Sequence, residues 1–354
     1  MQQKIKSLIE SSKLVFRQCQ LETGAIVAAN SDLNIYPKDV QNYRYVWPRD
    51  VSFILAAADL LKIKGMHEPF YNWLMERAED FSESGLLFQN YYPNGPKRWM
   101  GFQPDQNGSV LWSIHSHCRD NLEDAKKHEP LIRKLADGIL SVWNGRHFTI
   151  ISQDLWEENY AYPKFEQNHT YALAACSHGL RLADEILKEE KYRKASEEMK
   201  KAIEGSFDRY FLRMNGKLKD RTIDTSMLGL AYPFPIFDAG DTRFTSTLDL
   251  IEKNNTDSNR AFRYPNDLYD GFKYSGIDGR RGSGFWPLLN FWLSICFSLR
   301  NDRKKALNYY LAAVDEAEGC FPEQIFTNEI QKSPKPLAWS HAMFILASEK
   351  LGFI

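Results

Sequence analysis

Two adjacent carboxylates, Glu157 and Glu158, and a third far downstream, Glu323, are the side chains of this sequence best suited by type to do chemistry. The first two lie in Asp154-Leu155-Trp156-Glu157-Glu158 and the third in Phe321-Pro322-Glu323-Gln324. Both segments read as aromatic-rich loops that lead into apolar helical stretches. Cleavage of a glycosidic bond takes carboxyl groups on opposite sides of the bond, and aromatic rings for the C–H faces of the sugar. A Glu-Glu pair alone carries little weight, because most such pairs are a solvated helix face. The flanking tryptophan and the downstream partner are what favour a site.

Three further segments combine aromatic rings with hydrogen-bonding groups. Tyr43-Arg44-Tyr45-Val46-Trp47-Pro48-Arg49-Asp50 ends a loop and opens a helix. Asp50 there reads either as an N-cap or, with Arg49, as a ligand for sugar hydroxyls. Arg263-Tyr264-Pro265-Asn266-Asp267 carries turn chemistry. Its Arg263 and Asp267 either pair with each other or offer the planar donor fork of Arg263 to vicinal hydroxyls. Trp99 and Gln103, with Asp105 nearby, form a loop in which core packing accounts for Trp99 as well as sugar contact does. His169 and His341 have no second ligand at metal-like spacing and read as structural.

Composition excludes several classes. Net charge is −1 and there is no long basic block, which argues against nucleic acid as a partner. Five scattered cysteines with no Cys-x-x-Cys pair fit buried reduced thiols in a cytoplasmic protein better than a zinc site or a disulfide framework. The N-terminal segment opens an amphipathic helix rather than a signal sequence, and no apolar run approaches membrane-spanning length. No nucleophile elbow, Walker-type loop or dinucleotide fingerprint is present. Gly279-Arg280-Arg281-Gly282-Ser283-Gly284 has no preceding strand and no Lys-Ser/Thr ending. Aromatic residues make up 14% of the chain, more than a plain helical core needs, and they concentrate in loops.

What must position these groups is mostly helical. Apolar periodicity predicts helices near residues 3–19, 50–62, 66–82, 107–118, 122–144, 167–187, 190–208, 224–231, 241–253, 283–298, 302–317 and 337–350. Strand-like alternation is confined to 24–28, 146–152 and a hairpin near 211–221. Connections after the second, fourth, sixth and tenth helices are short turns, that after the eighth, through Pro233-Phe234-Pro235, is somewhat longer, and those after odd-numbered helices are mostly long. Long loops in a compact domain are usually functional. This alternation predicts an all-α fold of six helical hairpins in a ring, an (α/α)6 barrel with its long loops at one end. Every motif falls in such a loop, at 43–50, 99–108, 154–165, 263–274 and 323–324. A stacked solenoid is the alternative, and no fixed-period repeat favours it.

Taken together and in order, these five segments, with Trp339-Ser340 after the last, resemble glycoside hydrolase family 15, the glucoamylase-type enzymes. The resemblance runs from about Tyr43 to the C-terminus. It implies an (α/α)6 barrel and inversion at the anomeric carbon, with Glu157 as general acid and Glu323 as general base. It implies that Glu158 binds the sugar on the leaving side and that Arg49, Asp50 and Arg263 hold the terminal glucose. Tyr43, Trp47, Trp99, Gln103, Trp156 and Asp267 complete the implied substrate-binding set, and Asp154 supports the acid loop. The β-sandwich and starch-binding domains common in the family have no counterpart here, so residues 1–354 are expected to be one catalytic domain. The expected substrate is a small α-linked gluco-oligosaccharide, with maltose-type, isomaltose-type and trehalose linkages all open.

The mechanism sets electrostatic expectations. Glu157 must hold a proton near neutral pH, and burial beside Trp156 together with the Glu158 charge should raise its pKa. Glu323 must stay ionised, helped by arginine and tyrosine neighbours. Neither a metal nor an organic cofactor is required. A non-catalytic sugar-binding or regulatory toroid is the competing class, and it has no need of both Glu157 and Glu323. A lyase would want a Tyr/His or Arg base and uronate-binding cations.

Overall fold

The structure is a computed structural model that describes residues 1–270, 282–328 and 330–354. Residues 271–274 of the motif loop 263–274, and residues 279–281 of the glycine-rich segment, lie outside the described residues. Among those described, the helices run α1 Gln2–Cys19, α2 Pro48–Leu60, α3 His67–Glu76, the single turn α4 Phe81–Ser84, α5 Pro104–His117, α6 Glu129–Ser141, α7 Thr170–Leu187 and α8 Glu190–Glu204. They continue with α9 Thr242–Asn254, α10 Pro287–Leu299, α11 Arg303–Glu316 and α12 Ala338–Leu351.

An inner ring closes on itself. α2 packs on α5, α5 on α7, α7 on the 3-10 segment Thr225–Leu230, that segment on α10, α10 on α12, and α12 back on α2. Inner helices are covered on every side: residues 48–58 of α2, 104–114 of α5, 287–297 of α10 and 338–348 of α12 are all buried. Over these residues they show no exposed polar face, and α5 buries even Asp105, Gln106, Asn107 and Ser109. The outer layer shows an apolar stripe instead. α8 buries Tyr192, Ala195, Ser196, Met199 and Ile203, one face at helical spacing, and its other faces carry charge. α1 leans on α12, α6 on α5 and α7, α9 on the 3-10 segment, and α11 on α10 and α12. α3 reaches α2 and α5 through His67–Asp59 and Tyr71–Ser113. α5 and α7 cross closely. There a Cβ on Gly108 would stand 2.3 Å from the Ala175 carbonyl, so only glycine lets the two backbones meet.

The six-hairpin ring predicted from loop lengths is therefore present, with corrections at element ends. The helix expected at 122–144 is split into a 3-10 turn, Leu122–His128, and α6, because Pro130 cannot continue a helix through that point. The helix expected at 66–82 stops at Glu76. The strand expected at 24–28 is a single bridge, Gln20 to Ile26. An unpredicted hairpin pairs β1, Phe88–Tyr91, with β2, Lys97–Phe102, across Pro93-Asn94-Gly95. All five cysteines are buried and unpaired. No helix among the described residues is long and apolar enough to cross a membrane.

Candidate active site

Every inner element starts at the same end of the ring. The residues before α2 and α10 are Trp47 and Trp286, both extended at φ −106°, ψ 108°, and both followed by proline at the first helical position. Gln103 before α5 does the same with Pro104. Proline there gives up an N–H that had no partner anyway and presets the helix. The Trp47 and Trp286 side chains thereby line the mouth, where the helix dipoles converge with their positive ends.

The mouth holds a cavity of about 390 Å³. Of the sequence-predicted residues, its wall contains Tyr43, Trp47, Arg49, Asp50, Trp99, Trp156, Glu157, Glu158, Arg263 and Glu323. Trp99 stands at the rim, half exposed, with the Arg98 guanidinium 5.2 Å from its ring centre. Three residues lie behind the wall instead. Gln103 is fully buried and accepts from Arg49 Nη1 at 3.3 Å, while its amide donates to the Asp154 carbonyl. Asp267 accepts from Arg263 Nε and Nη2, both at 2.7 Å. Asp154 pairs with Arg213. Gln103 and Asp267, expected among the sugar ligands, therefore sit where they hold the two arginines in place.

Glu157 occupies a tight turn and a left-handed backbone, φ +66°. Non-glycine residues are rarely held there except where the surroundings over-determine them, often at functional sites. Its Oε1 accepts from Trp47 Nε1 at 2.5 Å and lies 3.8 Å from Arg49 Nη2, and its Oε2 accepts from the Gln89 amide. Burial pushes the carboxyl up to about 7 against the pull of Arg49. The neighbouring carboxylate that adds to the push is Asp50, where the sequence pointed to Glu158. Glu158 is engaged elsewhere, accepting from Arg263 Nη2 at 2.7 Å and from the Tyr264 hydroxyl.

Glu323 faces the same cavity from the other side of the Tyr43–Trp47 ring pair, whose centres are 5.5 Å apart. Tyr43 donates to Glu323 Oε1 at 3.0 Å and is joined to the Tyr269 hydroxyl. Glu323 Oε2 has no hydrogen-bond partner among the described residues. The loop is pinned on both sides. Glu323 N–H donates to the Pro334 carbonyl at 3.0 Å, and Phe321 N–H donates to His341 Nε2 at 3.0 Å. With that nitrogen accepting, His341 donates through Nδ1 to Ser12, as the structural reading expected. Burial carries the Glu323 carboxyl up to about 8, outweighing Tyr43 and Arg263. The expectation that those neighbours keep it ionised near neutral pH is thus not what the burial produces.

The arginines define the floor and the side. Arg49 is tied to Asp105 at 3.1 Å and lies over the Trp339 ring. Arg263 is enclosed by the rings of Trp156, Tyr264, Tyr269 and Trp286, 4.8–5.4 Å from its guanidinium carbon. Gln89, Tyr269, Trp286 and Trp339 also line the cavity, and the sequence did not assign them roles. The repeated Trp-Pro at 47–48 and 286–287 was the available signal for Trp286. A separate cluster, Asp59, His67 and His117, gathers where the short turns lie. Its two imidazoles stack at 3.7 Å and 18°, so no one ion lies in the plane of both rings.

The family model for glycosyl hydrolases family 15 matches residues 3–305. The chain belongs to that family. It is 30% identical, over 375 residues, to an uncharacterized glycosyl hydrolase of Methanocaldococcus jannaschii, with 97% of this chain and 55% of that protein covered. The chain thus spans about half the length of that relative. It is 22% identical over 352 residues to isomaltose glucohydrolase of Kribbella flavida, covering 88% of this chain and 85% of that one. A glycosidase variant solved in complex with glucose shares the fold at a TM-score of 0.81 and 20% identity, covering 100% and 98% of the two chains.

Proposed function

We propose that residues 1–354 act as an exo-acting, inverting α-glucosidase that releases glucose from the non-reducing ends of short α-linked gluco-oligosaccharides. The observation that carries this is the pair of buried carboxyls, Glu157 and Glu323, set on separate elements of one cavity wall, with Glu157 raised to about 7 as a proton donor near neutral pH requires. Glu157 donates a proton to the leaving oxygen. Glu323, whose Oε2 has no hydrogen-bond partner among the described residues, takes a proton from the attacking water. Arg49, Asp50 and Arg263 hold the terminal glucose by its hydroxyls, with Trp156, Trp286 and Trp339 against its C–H faces. Glu158, held by Arg263, meets the leaving sugar. The small cavity favours short substrates, and the name of the Kribbella relative favours an isomaltose-type linkage.

The deciding assay is glucose release from maltotriose, isomaltotriose and trehalose by the purified protein. Release from one or more is expected, with isomaltotriose the preferred arm; release from none would point to a non-catalytic sugar-binding role. Trehalose as the sole substrate would point to a trehalase-type hydrolase. Proton NMR of the first product should show the β-anomer before mutarotation, since a water delivered by Glu323 attacks the face opposite the leaving group. An initial α-anomer would mean retention and a different role for Glu323.

The pH profile follows from the two raised carboxyls. The reaction needs one proton on the pair, so the macroscopic constants belong to the pair rather than to either residue. At low pH the pair gains its second proton and the base is lost; at high pH it loses its last proton and the acid is lost, and burial moves both limits upward. A bell-shaped kcat/KM between pH 5 and 10, centred at pH 7–8, is expected; an optimum near pH 4–5 would contradict the burial that raises both groups.

A further inference from the structure

Arg213 lies outside the cavity wall, and no sequence pattern singles it out. It follows the short strand Tyr210–Phe211 on the connection between α8 and the 3-10 segment Thr225–Leu230, and it is buried. Four carboxylates face it. Nη2 donates to Asp154 Oδ2 and stands 3.8 Å from Glu158 Oε2. Nε stands 3.2 Å from Asp224 Oδ2 and 3.9 Å from Asp220 Oδ2. With its amide oxygen turned toward the arginine, Asn159 accepts from Nη2 at 2.9 Å and from Nη1 at 3.2 Å. The Tyr264 ring covers the guanidinium, 4.9 Å from its carbon.

These partners are the groups that shape the turn carrying Glu157. The second oxygen of Asp154, Oδ1, accepts the backbone N–H of Glu158 at 2.9 Å and of Asn159 at 3.0 Å. Glu157 N–H donates to the Asp154 carbonyl at 3.2 Å. Asp224 accepts Trp156 Nε1 at 3.0 and 3.1 Å. One cation thus ties down both flanks of Glu157, Trp156 through Asp224, and Glu158 and Asn159 through Asp154. Without it, Asp154 and Asp224 would be buried carboxylates lacking their counter-charge. They would then take up protons or rearrange, and the left-handed backbone at Glu157 would lose what over-determines it. The Glu323 loop, fixed by Tyr43, Pro334 and His341, is anchored independently.

We infer that Arg213 is a positioning residue for proton donation: by pairing with Asp154 and Asp224 it aligns the Glu157 carboxyl with the leaving oxygen. The inference rests on the reading of Glu157 as the acid. Its signature is dependence on the leaving group, because a misaligned acid matters only where the leaving oxygen needs a proton, whereas a loosened fold slows every substrate.

The test compares wild type, Arg213→Lys, Asp224→Asn and Glu157→Gln on a glucose disaccharide and on α-glucosyl fluoride, with thermal melts alongside. Arg213→Lys keeps the charge and loses the fork; Asp224→Asn keeps an acceptor for Trp156 and removes the charge. Misplacement by about 1 Å costs on the order of 10²-fold. Arg213→Lys should therefore lose about that in kcat on the disaccharide, with KM little changed and near-wild-type turnover of the fluoride. Asp224→Asn should show the same selectivity, and it decides alone if Arg213→Lys does not fold. Equal loss on both substrates, or loss on neither, overturns the inference. Selective loss in Glu157→Gln without it in the other two overturns the inference alone. Equal loss in Glu157→Gln removes the acid reading and the inference together.

Discussion

Glu157→Gln and Glu323→Gln are each expected to lower kcat on an α-linked oligosaccharide by about 10² to 10⁴, the usual worth of a general acid or base. The two should part company on α-glucosyl fluoride. Fluoride leaves with little protonation, so a missing acid is tolerated, while the attacking water still needs a base. Turnover of the fluoride should thus recover far more in Glu157→Gln than in Glu323→Gln. The structure makes the comparison clean, because glutamine at 157 keeps an oxygen for Trp47 Nε1 and at 323 one for Tyr43. Equal recovery in both variants, or wild-type activity of either on an oligosaccharide, would reverse or remove the assigned roles.

The second large effect is expected at Asp267, through stability as well as activity. Arg263 is about 2% exposed and surrounded by aromatic rings, and Asp267 takes two of its hydrogen bonds. Breaking a buried ion pair by deleting one partner costs about 3–5 kcal/mol, since the remaining charge stays in a medium that solvates it poorly. Asp267→Ala should lower the urea unfolding free energy by that order and reduce kcat/KM, because Arg263 is then drawn toward Glu158, its remaining carboxylate. An unchanged urea midpoint would show that Glu158 alone neutralises the arginine.

How much of this was legible in the sequence depends on the range of the interaction. The ring could be read from loop lengths because hairpins with tight turns at one end and long loops at the other leave that alternation in the sequence. The carboxylates were legible because Trp156 and Phe321 flank them. Helix ends were misread where a proline or a tight turn acts locally, at Pro130 and after Glu76. The loops hid more. The β1–β2 hairpin follows from Pro93-Asn94-Gly95 but has irregular register, so its alternation is blurred. Gln89, Arg213 and Asp224 could not be found, since their partners at 157, 154 and 156 are tens of residues away and only the folded chain joins them. The Arg263–Asp267 pair was one of the two readings the sequence offered and is the one the structure shows, whereas the contact of Gln103 with Arg49 had no signal in the sequence.

The ring closure carries a consequence for how the molecule is made. α12 completes the circle by packing on α2 and on α1, with Ser12 bonded to His341 and the Ala338 N–H to the Ala28 carbonyl. Partners more than 300 residues apart in sequence must therefore meet before α2 is covered on its last side. Contacts of such separation are slow to form, and until they do, the apolar side of α2 stays open to other chains. Trp339 on α12 is part of the cavity wall beneath Arg49. During synthesis, the earlier hairpins can assemble stepwise, but the pocket comes into being only in the final docking event.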